Sequence, residues 1–152
     1  MLCSRSGLFV RVVVCLLACL TAASAQSGLL GKWKEPTGSV IEVTRCGSDV
    51  CMRLISISSR APTQRDERNP DQKLRSRPLC GLQIGSGFHL EGDEKAEGGS
   101  LYDPKSGRTY KGSMTRMGDE LHLRGYVGFK LFGVTETWVR TAPTTPCTAP
   151  AP

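Results

Sequence analysis

Arg108-Thr109-Tyr110-Lys111-Gly112-Ser113-Met114-Thr115 and Glu120-Leu121-His122-Leu123-Arg124-Gly125-Tyr126-Val127 are separated by a turn at Gly118-Asp119. In the first run Tyr110, Gly112 and Met114 share one face, and Lys111 and Ser113 the other. In the second, Leu121, Leu123 and Val127 point one way, and His122, Arg124 and Tyr126 the other. A period of two marks extended chain with one face buried. The pair therefore predicts two strands with a turn between them.

The pattern repeats outward in both directions. Ser39-Val40-Ile41-Glu42-Val43-Thr44-Arg45-Cys46 is β-branched and roughly alternating, Gly47 to Val50 turns, and Cys51-Met52-Arg53-Leu54-Ile55-Ser56-Ile57 returns. This is a hairpin signal. Leu29-Leu30-Gly31-Lys32-Trp33 is a short apolar opening, followed by the turn residues Glu35-Pro36-Thr37-Gly38. Cys80 to Ile84, Phe88 to Leu90, and Gly99 to Tyr102 are further extended segments. Residues 91–98 are acidic and turn-like, Asp103-Pro104-Lys105-Ser106-Gly107 has specific turn chemistry, and residues 133–140 form the last strand. The count is about eight short strands and no stretch with helical period. The expected fold is all-β, a single antiparallel domain over residues 26–140.

The N-terminus is set aside as a leader. Arg5 and Arg11 lie in an acid-free start, Val12 to Leu20 is a run of nine uncharged residues, and Ala23-x-Ala25 is a cleavage pattern. The run is too short for the ~20 residues of a spanning helix. Leu16-Leu17-Ala18-Cys19 faintly resembles a lipid-attachment motif, but Arg11 leaves too little apolar chain before it. Residues 1–25 are expected to be a cleaved signal peptide, and the protein to be periplasmic or secreted, without an integral membrane segment. Residues 141–152 hold four prolines and are expected to be a disordered Pro/Thr/Ala-rich tail.

Cleavage leaves 127 residues with 18 basic and 14 acidic side chains, a net charge of +4. Gly and Pro make up about 20% of it, which suits short strands and tight turns. The remaining cysteines are Cys46, Cys51, Cys80 and Cys147, an even set that favours disulfides in an exported chain. Hairpin spacing places Cys46 opposite Cys51 as a bridged pair. Cys80 and Cys147 are then left by parity, to bond each other or another chain.

Catalytic patterns are scarce. The sequence has no Gly-x-Ser-x-Gly, His-Glu-x-x-His or Walker motif, and Gly85-Ser86-Gly87 lacks the third glycine of a dinucleotide site. His89 and His122 with Cys80 fit no compact zinc spacing. Tyr102-Asp103 reads as turn chemistry before Pro104. No catalytic residue, metal or cofactor is expected, and the protein is expected not to be an enzyme. Residues 58–79 form a long polar connection with six cations and three acids. A solvated loop accounts for it; the sharper reading is a clamp for an anionic group by Arg75 and Arg77, since guanidinium forks bind carboxylate or phosphate bidentately. Arg124 and Tyr126 join them as ligand-binding candidates. Nucleic acid is excluded by export and by the lack of interleaved aromatic platforms.

Several motifs together resemble one family: Gly31-Lys32-Trp33; Cys46-Gly47 with Val50-Cys51; Asn69-Pro70-Asp71 with Leu74-Arg75 and Arg77-Pro78-Leu79-Cys80-Gly81; Tyr102-Asp103-Pro104 with Gly107 and Tyr110; Leu123-Arg124-Gly125-Tyr126; Phe132-Gly133; and Thr137-Trp138-Val139-Arg140. The chain is similar to the bacterial exported family known as domain of unknown function 2147, over about residues 29–140. Met52 departs from the family's frequent glycine, and Cys147 lies outside its span. The resemblance implies a lipocalin-like (calycin) barrel in the bacterial envelope, and no known reaction. It also implies structural roles for Trp33 and Arg140, the Arg of the last strand lying over the Trp of the first. The function expected is binding of a small apolar, lipid-like or anionic envelope molecule. The alternative is a protein-interaction or protease-inhibitor-like envelope factor with a filled barrel, and the abundance of Phe, Tyr and Leu leans toward a narrow interior.

Overall fold

The β-branched and alternating runs fold into eight strands, each antiparallel to the next. They are β1 (Gly31–Lys34), β2 (Val40–Cys46), β3 (Asp49–Ser56), β4 (Gln83–Leu90), β5 (Lys95–Asp103), β6 (Arg108–Met117), β7 (Glu120–Tyr126) and β8 (Val134–Arg140). β8 returns to pair with β1, closing a barrel in chain order. The computed structural model describes residues 28–142 and 144–148; the expected signal peptide lies outside them.

Most strand ends shift by one to three residues from expectation, and two elements differ more. Phe88 belongs to one continuous strand with Gln83, although Gly85 and Gly87 interrupt its side-chain pattern. The acidic stretch enters β5 at Lys95, because Ala96 pairs with Met114 and a bulge with Gly98 at φ 74° absorbs the irregularity.

Inward-facing residues divide the barrel. At the end of the β2–β3, β4–β5 and β6–β7 turns, the lumen is packed with Trp33, Val43, Val50, Met52, Phe88, Ala96, Met114 and Leu121, all buried. The Phe88 ring fits only because two neighbours have no side chain. A Cβ on Gly99 would overlap the ring, and one on Gly112 would lie 2.8 Å from Cζ. Gly85 makes the same room for Met52, whose sulfur would lie 2.7 Å from a Cβ there.

The first and last strands meet at this closed end. The Arg140 guanidinium sits 4.1 Å above the Trp33 ring and donates to the carbonyls of Gly28 (2.6 Å) and Leu30 (3.2 Å). Trp33 Nε1 donates to Leu29 O at 2.8 Å. Burial lowers the Arg140 pKa, as expected for a cation withdrawn from water.

Both disulfides are present. Cys46 and Cys51 are 5.8 Å apart at Cα, but diagonal rather than directly opposed: Cys46 faces Asp49, and Cys51 faces Thr44. The Gly47-Ser48 turn, with Gly47 at φ 69°, fixes that register. Cys80 bonds Cys147 within the chain. The tail that was expected to be disordered carries no strand among its described residues, yet it is held against the barrel. Thr141 N donates to Lys32 O, Lys32 Nζ to Thr144 O, and Cys147 N to Ile55 O.

Two substitutions test this packing. Arg140→Ala should cost about 1–3 kcal/mol through lost ring contact and unpaired carbonyls; an unchanged denaturant midpoint would remove the guanidinium from the account of closure. Gly99→Ala should cost a similar ~1–3 kcal/mol by overpacking against Phe88, with partial rescue by Phe88→Leu. Simple additivity of the two changes would show that the ring and the glycine do not share the space.

Candidate functional site

Above Phe88 the barrel is open. A cavity of about 990 Å³ runs from Ile41, Leu54, Ile84, Leu101, Leu123 and Trp138 at its base to a polar rim. Its volume is at the upper end of the ~300–1,000 Å³ of ordinary ligand pockets. The narrow interior expected from the count of large side chains is therefore not what forms. Phe88, Met52, Met114 and Trp33 fill the closed end, while the space above Ile41, Leu123, Gly125 and Trp138 stays open.

The rim is built from four connections: the β1–β2 turn, residues 57–82, the β5–β6 turn and the β7–β8 loop. Glu35 is buried at the first. Thr37 donates through both its N–H (2.9 Å) and its hydroxyl, Ser39 N–H donates at 3.0 Å and Lys105 Nζ at 3.2 Å. Burial pushes the Glu35 pKa up, but the hydrogen bonds outweigh it and hold the group at about 2. Glu35 is thus a fixed anion that ties the β1–β2 turn to the β5–β6 turn.

The long polar connection folds around one fully buried carboxylate. Asp66 accepts from Tyr102 Oη (2.5 Å), Asn69 Nδ2 (2.8 Å) and Arg77 Nε (2.8 Å), with Arg77 Nη2 at 2.7 Å. The Arg77 guanidinium also lies 5.7 Å from the Tyr102 ring centre. Burial first, and then the Asp66 carboxylate, raise the Tyr102 phenol to about 12. A side chain at Gly107 would overlap the Arg68 carbonyl, so the Asp103-Pro104…Gly107 turn is shaped to receive this loop. Asp103 itself makes the turn, accepting from Lys105 N–H and the Ser106 hydroxyl.

The four ligand-binding candidates do not converge. Arg77 is engaged by Asp66, and Arg75 Nε donates to Asn69 O at 2.8 Å, so both guanidinia brace their own loop instead of forming an anion clamp. Arg124 turns to the β7–β8 loop, donating to Lys130 O, Leu131 O and Thr135 Oγ1. Of the four, Tyr126 lines the cavity. His89 and His122 sit beside Asp49 and Glu120, and the Cys80 sulfur is in a disulfide, so the three form no ligand set.

Sequence reading missed Glu35, Asp66, Tyr102, Gly125 and Glu136. Glu136 lines the cavity and accepts from Trp138 Nε1 at 3.0 Å. For Glu136 a signal existed: it shares a strand face with Trp138 and Arg140. For Asp66 none did, because its partner Tyr102 is 36 residues away.

A family model described as "Uncharacterized protein conserved in bacteria (DUF2147)" matches residues 31–140. Among solved structures, the fold is similar to protein HP1028 from the human pathogen Helicobacter pylori, described as belonging to the lipocalin family. The two are 24% identical with a TM-score of 0.69, over 76% of this chain and 84% of that one. At this identity the likeness establishes the fold: a lipocalin-like barrel, as the motifs led one to expect. No match is found among curated proteins.

Asp66→Ala tests the rim's anchor. Removing the carboxylate leaves Arg77 and Tyr102 without their acceptor and should cost about 3 kcal/mol. It should also bring the Tyr102 phenol down from about 12 toward its ordinary 10, read by phenolate absorbance against pH. An unchanged titration would show that Asp66 does not govern Tyr102.

Proposed function

We propose that this chain, which belongs to the bacterial DUF2147 family, is a non-catalytic container in the bacterial envelope for one small molecule with a largely apolar body. The observation that carries this reading is the cup of about 990 Å³, floored by aliphatic side chains and Trp138 and open at one end. Eight strands give a barrel just wide enough to be filled by its own side chains or to hold one ligand. Here half of it follows the first course and half the second. A filled barrel was the premise of the protein-interaction alternative, and the interior above Phe88 is not filled.

The rim supports a polar or anionic head on that ligand. Arg60 and Arg68 line the cavity, and among the described residues neither guanidinium donates a hydrogen bond. They take the place in this reading that Arg75 and Arg77 held at first. Chemistry is not assigned to the cup: Glu35 and Tyr102 are already bound to neighbouring groups, and its hydroxyl–carboxylate pairs, Thr37 on Glu35 and Thr63 on Glu67, are local turn contacts. Two intrachain disulfides suit an oxidising compartment, as does the apolar leader with its small-residue cleavage pattern.

Gly125 gives a clean test. It lines the cup, and a Cβ there would meet Leu101 and Tyr110 at 3.7 Å, ordinary contact distances. Gly125→Phe should therefore fold and fill the cavity. Wild-type protein should bind N-phenyl-1-naphthylamine with enhanced fluorescence, and the variant should lose at least about tenfold in affinity. Native mass spectrometry of protein taken from its own compartment should show a bound small mass. Equal probe binding by a folded Gly125→Phe variant, or no probe binding by the wild type, would end the container reading.

A further inference from the structure

The β7–β8 loop leaves a cluster of large apolar side chains in water. Val127, Phe129, Leu131, Phe132 and Val134 are between 74% and 81% exposed. Single exposed apolar residues are ordinary, but four on one short loop with a fifth at the start of β8 mark a contact surface. The loop is held in shape. Arg124 donates to Lys130 O at 2.9 Å and Leu131 O at 3.0 Å, and Lys130 Nζ grips Glu97 at 2.6 Å. An apolar loop presented this way loses little conformational entropy on docking. Val127, Phe132 and Val134 also line the mouth of the cup, so cluster and opening are one surface.

Charge is distributed along the barrel in the same sense. The connections at the mouth, residues 35–39, 57–82, 104–107 and 127–133, hold eight basic and four acidic side chains, an excess of four positive charges. Those at the closed end, residues 47–48, 91–94 and 118–119, hold four acidic and no basic ones, with Glu91 and Glu94 paired to Lys95 and Arg116 on the adjoining strands. The molecule is therefore polarised end to end, with its apolar loop at the positive end. A planar anionic field attracts that end, repels the other, and so orients the barrel before contact.

We propose that the mouth of the barrel docks on an anionic lipid surface, with the side chains of the β7–β8 loop entering its apolar layer. Apolar insertion and electrostatic attraction together give stable but reversible binding where one alone is marginal. The exposed apolar side chains stand beside Arg60 and Arg68 at the positive end of the barrel, a pairing of apolar and cationic groups that suits an apolar layer under an anionic surface. The proposal stands whether or not the cup holds a ligand.

The test is co-sedimentation of the oxidised chain, residues 26–152, with vesicles of phosphatidylethanolamine and phosphatidylglycerol, and separately of phosphatidylcholine. The expected result is binding to the anionic vesicles, weakened as salt rises from about 0.1 M to about 0.5 M because screening shortens the field. Phe129→Ser with Leu131→Ser, at two side chains that do not line the cup, should reduce binding at least about tenfold while leaving the melting midpoint near wild type. Arg60→Glu with Arg68→Glu should weaken it independently, again with the melting midpoint near wild type. The proposal is overturned if the wild type binds neither vesicle, or if the serine variant binds as the wild type does. A wild-type dimer in sedimentation equilibrium that the serine variant dissolves, without vesicle binding, would also overturn it and assign the loop to a second copy of the chain.

Discussion

The barrel closes through two residue pairs. β1 meets β8 only at Trp33–Arg140 and Lys34–Val139, whereas β6 and β7 share seven pairs and β7 and β8 share six. A seam this short leaves two strand edges that main-chain bonds alone hold weakly. The Arg140 side chain makes up the difference by bonding the carbonyls of Gly28 and Leu30, which the ladder does not reach, while its flat face covers the indole. The main chain adds Arg140 N to Asp119 O and Thr141 N to Lys32 O on either side of the seam. A half-buried cation is tolerated here because its donors meet carbonyls and its face meets a ring. Every inward-facing residue above the seam depends on it, since an open sheet has no lumen.

Closure makes a lumen; glycine decides how it is divided. Gly99, Gly112 and Gly125 lie in register across β5, β6 and β7. At the first two the missing side chains are replaced by the Phe88 ring arriving from β4. At the third no side chain comes closer than 3.7 Å to where a Cβ would stand, and the space becomes part of the cup. One row of glycines thus serves as both socket and void. The outcome turns on where a single aromatic residue reaches, which is why a count of large side chains misjudged the interior.

Period-two alternation made the strands legible, and the motifs made the closing pair legible. Trp33 and Arg140 were recognisable because a resemblance linked residues over a hundred positions apart. The Cys46–Cys51 bridge followed from hairpin spacing, although the diagonal geometry required the turn's register. The rim was different. Arg75, Arg77 and Arg124 carry the right chemistry for an anion, but whether a guanidinium faces ligand or its own loop depends on a tertiary partner. Asp66, Asn69 and the carbonyls of residues 130 and 131 took those donors. A polar connection rich in cations is equally a binding loop and a self-satisfied one until its buried acid is located. Asp66 resembled the other acids of its stretch in sequence, and only its complete burial sets it apart.

The rim that results is stiff on one side and lighter on the other. Residues 57–82 are tied by a buried carboxylate with donors from Tyr102, Asn69 and Arg77, by a covalent bond from Cys80 to Cys147, and by Gly81 N and Leu54 N exchanging bonds with Leu54 O and Leu82 O. Releasing that side would break the Tyr102–Asp66 bond and is limited by the Cys80–Cys147 disulfide, while Asn69 and Arg77 travel with Asp66. The β7–β8 loop is held instead by exposed hydrogen bonds from Arg124 and an exposed Lys130–Glu97 pair, each worth about 1 kcal/mol or less. Local opening follows the cheapest set of broken contacts. The β7–β8 side of the rim is thus held by more exposed contacts than the side of residues 57–82. It is also the side whose large apolar side chains are most exposed, and so the side suited to an apolar layer.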